Sequence, residues 1–233
     1  MCGRFTLKTP ARDLIAALDL ASSDRQLGLF EPRWNIAPTQ QVPVVRLDGG
    51  AREAVAMRWG LIPSWSKEPG KGAPLINARS ETVAEKPSFR TALKRRRCLM
   101  PADGFYEWQE SGGKGAKQPF YIHRKDDGPF AFAALWECWR SKEDPAAAPV
   151  ESCTLVNTEA VGWMTEIHHR MPVILEPKDF DVWLDPELQE AGPLAPLFAP
   201  AEHNELVAQP VSTYVNKATN EGPRCVEVQK TLF

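Results

Sequence analysis

Short apolar runs broken by Gly, Pro and Asp turns outnumber helical stripes along this chain. Thr9-Pro10 predicts an N-cap followed by proline at the first helical position, with Leu14, Ile15 and Leu18 forming the apolar stripe behind it. Pro32 to Pro43 reads as irregular. Gln41 to Leu47 is a predicted strand ending at Asp48-Gly49-Gly50, and Ala54 to Trp59 is its hairpin partner. A Pro- and Gly-rich loop, Pro63 to Pro74, precedes a short extended piece, Leu75 to Arg79, and a helix over Ser88 to Arg95. Strands over Gly104 to Trp108 and Pro119 to Arg124 flank a Gly/Lys-rich turn, Ser111 to Gln118, and Phe130 to Trp139 continues the meander. After a polar loop, Ser141 to Pro149, further strands are predicted over Ser152 to Val156, Pro172 to Leu175 and Leu206 to Val211. Val161 to Ile167 is a short helix or turn, and Asp179 to Leu184 is helical. No internal repeat is visible. The expectation is an α+β fold, mainly antiparallel β with a barrel-like core and peripheral helices, in one domain spanning residues 1–233.

Composition narrows the function classes. A formal net charge of -2 excludes a globally basic nucleic-acid binder, so any DNA contact must come from a small local surface. Cys2, Cys98, Cys138, Cys153 and Cys225 form neither a C-x-x-C pair nor a His/Cys cluster at zinc spacing, so neither a metal nor another cofactor is expected. Scattered thiols in an odd number fit a reducing cytoplasm. No apolar run reaches membrane-spanning length, and Met-Cys-Gly-Arg-Phe-Thr lacks the pattern of a signal peptide.

Several short segments carry chemistry. Methionine ahead of a small residue is normally trimmed, which would leave Cys2 with both a free α-amine and a thiol. An α-amine with a pKa of about 7.7–8.0 is partly neutral at physiological pH and can attack an aldehyde. The adjacent thiol can then close onto the imine as a thiazolidine. In the extended segment Pro74-Leu-Ile-Asn-Ala-Arg-Ser-Glu81, Asn77 and Arg79 share a face. Asn can orient an amine or oxyanion, and Arg can clamp a phosphate, although a solvated polar face explains both equally well. Glu107 stands in an aromatic strand, where desolvation would raise its pKa and suit it to proton transfer. Asp103, before Gly104, reads as a turn former. His168 and Arg170 pair an acid/base group with a cation, with His169 as the alternative. Trp65, in a Gly/Lys/Pro loop, is a candidate base-stacking surface. Lys94-Arg95-Arg96-Arg97 is either a nucleic-acid patch or a basic helix end.

Met-Cys-Gly-Arg-Phe, Trp34-Asn-Ile-Ala-Pro38, Arg58-Trp-Gly-Leu-Ile-Pro63, Ile76-Asn-Ala-Arg-Ser-Glu81, Asp103-Gly-Phe-Tyr-Glu-Trp108 and His168-His-Arg-Met-Pro172 together resemble the SRAP family, the SOS-response-associated peptidase domain. The resemblance runs from Cys2 to about Val215. It implies a monomeric, cytoplasmic sensor and shield of abasic sites in single-stranded DNA, with Cys2 as the crosslinking residue. It further implies that Asn77 positions the amine or opened sugar, that Glu107 shuttles protons, and that His168 assists ring opening and reversal. Arg4, Arg79 and Arg170 would contact phosphates, with Pro38 and Trp65 near the bend in the strand. His169 replaces a commonly acidic residue, and Asn157 stands where a threonine is frequent, so its contact stays unassigned. The peptidase in the family's name is read as removal of Met1 at most. The main alternative is an N-terminal-nucleophile cysteine amidohydrolase of the glutaminase type, which also begins Met-Cys-Gly. A non-catalytic single-strand binding module is the other.

Overall fold

The computed structural model describes residues 2–20, 28–110 and 117–229 of the chain. Strands β3 (Gln41–Asp48) and β4 (Ala51–Trp59) pair antiparallel along their whole length, turned by Gly49 and Gly50 at φ 57° and 85°. Both turn residues need left-handed backbone, which glycine adopts without a Cβ penalty.

This hairpin is two staves of a closed barrel. β3 pairs β6 (Arg97–Ala102), β6 pairs β9 (Phe130–Trp139), and β9 pairs β10 (Val150–Glu159), all antiparallel. β10 then returns to β4 in parallel, Ser152 opposite Arg58, and the ring closes. Past that point β10 carries β5 (Asn77–Arg79) in parallel and β11 (Arg170–Pro172) antiparallel, while β12 (Ile174–Leu175) extends β9. The expected barrel-like, mainly antiparallel core is therefore present, with a parallel junction at β10.

A second sheet lies against the barrel in the order β13 (Leu206–Pro210), β8 (Gln118–Arg124), β7 (Gly104–Gln109), β1 (Phe5–Leu7) and β2 (Arg33–Ile36). Aromatic side chains join the two. Phe5 meets Trp59 edge-on at 5.3 Å and Phe132 at 6.0 Å, and Phe105 meets Phe132 at 6.0 Å. Each such ring, fully buried, contributes about 1.5–3 kcal/mol. Gly104 is required because a Cβ there would lie 2.5 Å from the Tyr121 ring. The helices are short and peripheral: α1 (Ala11–Ala17), α2 (Arg90–Arg95), α3 (Phe180–Leu184) and α4 (Ala191–Leu194). No helix among the described residues is long and apolar enough to cross a membrane.

Local expectations fail where tertiary partners take over. Pro10, not Thr9, occupies the N-cap of α1, and no side chain caps it. The Thr9 hydroxyl donates to Asp103 instead, and the backbone N–H groups of Lys8 and Thr9 do the same. Asp103 is thus a buried tie between β1 and β7 rather than a turn former. Arg33–Ile36, expected to be irregular, is a strand because β1 supplies its ladder, Phe5 opposite Ile36. The basic run divides: Arg97 is buried, its guanidinium donating to the carbonyls of Leu93, Trp183 and Asp185, and Arg96 pairs with Glu137 at 2.9 Å. Only Lys94 and Arg95 remain exposed, too little for a patch. The predicted Gly/Lys-rich turn lies largely outside the described residues.

Candidate active site

Cys2 enters the protein as an extension of β1. The pairing of Phe5 with Phe105, continued by Tyr106 N–H donating to the Arg4 carbonyl at 3.0 Å, lays the first residues along β7. Cys2 is fully buried, and its thiol lies 3.8 Å from the Arg4 carbonyl oxygen. Burial pushes that thiol well above its ordinary range, and the Glu107 carboxylate pushes it further.

β7 decides where Glu107 points. Side chains alternate along a strand, so Tyr106 and Trp108 pack with Val211, Val215 and Cys225 on one face. Phe105 and Glu107 take the other face, towards the barrel. Burial there raises the Glu107 carboxyl to about 7, against an opposing pull from nearby positive charge that includes Lys117. At neutral pH the group is therefore divided between acid and base.

Asn77 arrives from the opposite direction. β5 is held on β10 with Asn77 opposite Leu155, and Trp59 Nε1 donates to the neighbouring Ile76 carbonyl at 3.1 Å. The Asn77 amide, so fixed, donates to the Cys2 carbonyl at 2.9 Å. Its Oδ1 is buried without a hydrogen-bond partner among the described residues, leaving an acceptor beside Cys2.

His168 follows the 3-10 turn Gly162–Glu166, its N–H bonded to the Met164 carbonyl at 3.0 Å. Its Nδ1 lies 2.9 Å from the Arg170 N and 3.1 Å from the Arg170 carbonyl oxygen. Partial burial, together with nearby positive charge that includes Lys117, lowers its pKa to about 4. The ring is neutral at pH 7, and its Nδ1 is held by the Arg170 backbone. His169 stacks on it at 4.3 Å.

The three arginines differ in what they offer. Arg79 is exposed at the end of β5 and can meet a phosphate. Arg4 is half-buried and donates to Asn35 Oδ1 at 2.8 Å and to the carbonyls of Val215 and Asn216, which ties β1 to the C-terminal turns. Arg170 is buried, forked onto Glu81 at 2.7 and 3.0 Å, with Nη2 also reaching Asn157 Oδ1 at 2.7 Å. Its terminal nitrogens are committed internally, so in this arrangement it braces β5, β10 and β11 rather than offering a fork to a phosphate. The Arg170 bond holds the Glu81 carboxyl below its ordinary range. This Glu81–Arg170–Asn157 brace was not legible beforehand: the three residues meet only because β5 and β11 both pair with β10.

Trp65 is 59% exposed and borders a groove of about 350 Å³ whose wall includes Thr39, Arg58 and Lys71. Pro38 precedes Thr39, which sits at φ 72°, a strained backbone for a β-branched residue. Thr39 is held there by its N–H to the Trp59 carbonyl at 2.7 Å and by Arg58 donating to its carbonyl. A more apolar cavity of about 250 Å³, walled by Leu14, Phe130 and Phe180, involves none of the reactive residues. Glu176, His203 and Glu205 bring ligating atoms within 4.8 Å of one another, but the Arg124 cation neighbours both carboxylates and opposes a metal there.

The whole arrangement has relatives. The model of the SOS response associated peptidase family matches residues 1–218. The chain is 39% identical over 229 residues to the abasic site processing protein YoqW of Bacillus subtilis, covering 97% of this chain and 99% of that one. It is 33% identical to the abasic site processing protein HMCES of Gallus gallus, covering 97% of this chain and 77% of that one. A crystal structure of a protein from Bacteroides thetaiotaomicron superposes with a TM-score of 0.84 at 25% identity, over 98% of this chain and 100% of the other. The chain therefore belongs to the SOS response associated peptidase (SRAP) family.

Proposed function

We propose that this protein captures abasic sites in single-stranded DNA by forming a thiazolidine between Cys2 and the sugar aldehyde. One observation carries the reading. A side chain 75 positions away, Asn77, grips the Cys2 carbonyl at 2.9 Å, while a buried carboxyl poised near neutrality bears on the same residue's thiol. An incidental second residue would attract neither.

Removal of Met1, by hydrolysis of the Met1–Cys2 peptide bond, is the step that exposes the α-amine. His168, neutral and held through Nδ1, works through Nε2, relaying the C1′ hydroxyl proton to the ring oxygen O4′ as the C1′–O4′ bond breaks and the aldehyde forms. The amine adds to that carbonyl and gives a carbinolamine. The protonated fraction of Glu107 delivers its proton to the departing hydroxyl, water leaves, and the nitrogen returns its remaining proton to the carboxylate to give an imine. The Cys2 S–H then adds across the C=N bond, sulfur to carbon and proton to nitrogen, and the ring closes. Each adduct releases one water. A thiol whose pKa is raised by burial suits this order, with the amine first and the sulfur second. It is poorly suited to thiolate attack on an amide, which disfavours the glutaminase-type alternative.

Arg79 and Trp65 present a cation and an exposed ring to the strand, with Pro38 at the strained turn beside the groove. The test is incubation of the processed protein with a single-stranded oligonucleotide bearing one abasic site, read on a denaturing gel and by intact mass. A band shifted by the oligonucleotide less one water, and absent in Cys2→Ala, is the expected result. No band from protein shown to lack Met1 ends the proposal, and a glutaminase assay then takes its place.

A further inference from the structure

The mouth of the β7–β8 hairpin holds a cluster of charges that neither the motifs nor the reaction steps use. Lys117, immediately before β8, lies with its Nζ 2.7 Å from the Glu110 carboxylate, immediately after β7. Both side chains are solvent-exposed, at 54% and 80%. Gln109, the last residue of β7, donates through Nε2 to the Glu166 carbonyl at 2.8 Å, which pins the hairpin to the turn that presents His168. Lys117 consequently stands where its charge reaches two groups at once, the Glu107 carboxyl and the His168 ring. An exposed cation therefore lies near both proposed proton shuttles, and the ion pair that holds it is solvent-exposed and a weak restraint.

We propose that Lys117 binds a DNA backbone phosphate next to the captured sugar, exchanging Glu110 for the phosphate when the strand arrives. The inference rests on the abasic-site reading and extends it to a residue at the reacting end of the strand, apart from Trp65 and Arg79. The chemistry selects a phosphodiester. An ammonium is a compact point charge that neutralises one phosphate without needing a planar fork, and Glu110 occupies its place in the unbound protein. Glu110 also repels DNA from this position until the exchange occurs.

The experiment uses a single strand carrying a tetrahydrofuran abasic analogue, which has no aldehyde, so binding is read without covalent chemistry. Fluorescence anisotropy over a salt series gives the slope of log K against log salt. Neutralising one phosphate on a single strand is worth about 0.7 in that slope. Lys117→Gln is expected to lower the slope by about that amount and to weaken binding at low salt, and Lys117→Arg to restore both. Glu110→Gln is expected to tighten binding at low salt, because the competitor is gone. A Lys117→Gln protein with the unaltered protein's slope and affinity overturns the proposal, and weaker binding by Glu110→Gln overturns the exchange. Failure of the covalent reading shows separately, as no Cys2-dependent adduct on a strand with a true aldehyde while the Lys117 effect on the slope persists.

Discussion

Replacing Glu107 with glutamine keeps the side chain's shape and removes its ionisation, so stability and chemistry should move in opposite directions. Burial carries the carboxyl from an ordinary 4.5 to about 7. Between those values the folded protein holds a proton that the unfolded chain has released. Stability therefore falls as pH rises through this window, and above about pH 7 the full penalty of a buried carboxylate is present. At about 1.4 kcal/mol per pH unit the displacement corresponds to about 3 kcal/mol. Glu107→Gln should match the unaltered protein near pH 4.5 and exceed it by up to about 3 kcal/mol at pH 8. Urea unfolding followed by tryptophan fluorescence, repeated at several pH values, measures the difference directly. The same variant should form adduct roughly 10²–10⁴-fold more slowly, the usual worth of a general acid. A stability difference that stays flat with pH would refute the desolvation argument. A fully active Glu107→Gln would remove the residue from the mechanism.

The remaining predictions address the other supports of the site. Asn77→Ala removes the donor on the Cys2 carbonyl and should slow single-turnover adduct formation roughly tenfold to a hundredfold, which corresponds to about 1.4–3 kcal/mol. Glu81→Gln breaks the fork on buried Arg170 and should lower stability by about 2 kcal/mol in urea, with a wild-type unfolding midpoint counting against the brace. Thr39→Gly relieves a left-handed backbone and should raise stability by about 1 kcal/mol; a loss would mean that the threonine side chain matters more than the strain. His168→Ala should slow both formation and reversal. Because the native ring stays neutral down to about pH 4, adduct rates should show no histidine inflection near pH 6.5.

Much of this protein could be read from one dimension. The β3–β4 hairpin, α1 and the β7–β8 pair follow from alternation and from Gly, Pro and Asp punctuation, because those signals act over a few residues and survive any tertiary context. The reactive nature of Met-Cys, and a carboxylate embedded in aromatic residues, were equally local. Pairing between distant segments was not. Arg33–Ile36 has no strand signal of its own and becomes β2 only through β1. Arg97 belongs to a basic run that looks like a surface patch, yet it is buried because two carbonyls of one distant segment, those of Trp183 and Asp185, join the local Leu93 carbonyl around it. Arg170 has the composition of a phosphate clamp and the geometry of an internal brace, a distinction set by Glu81 in the turn after β5 and Asn157 on β10. The sequence by itself determined which groups could react and most of the strands that carry them. Only the tertiary structure decided which polar groups are already engaged, because a side chain's partners are set by strand register and burial, and these depend on residues far away along the chain.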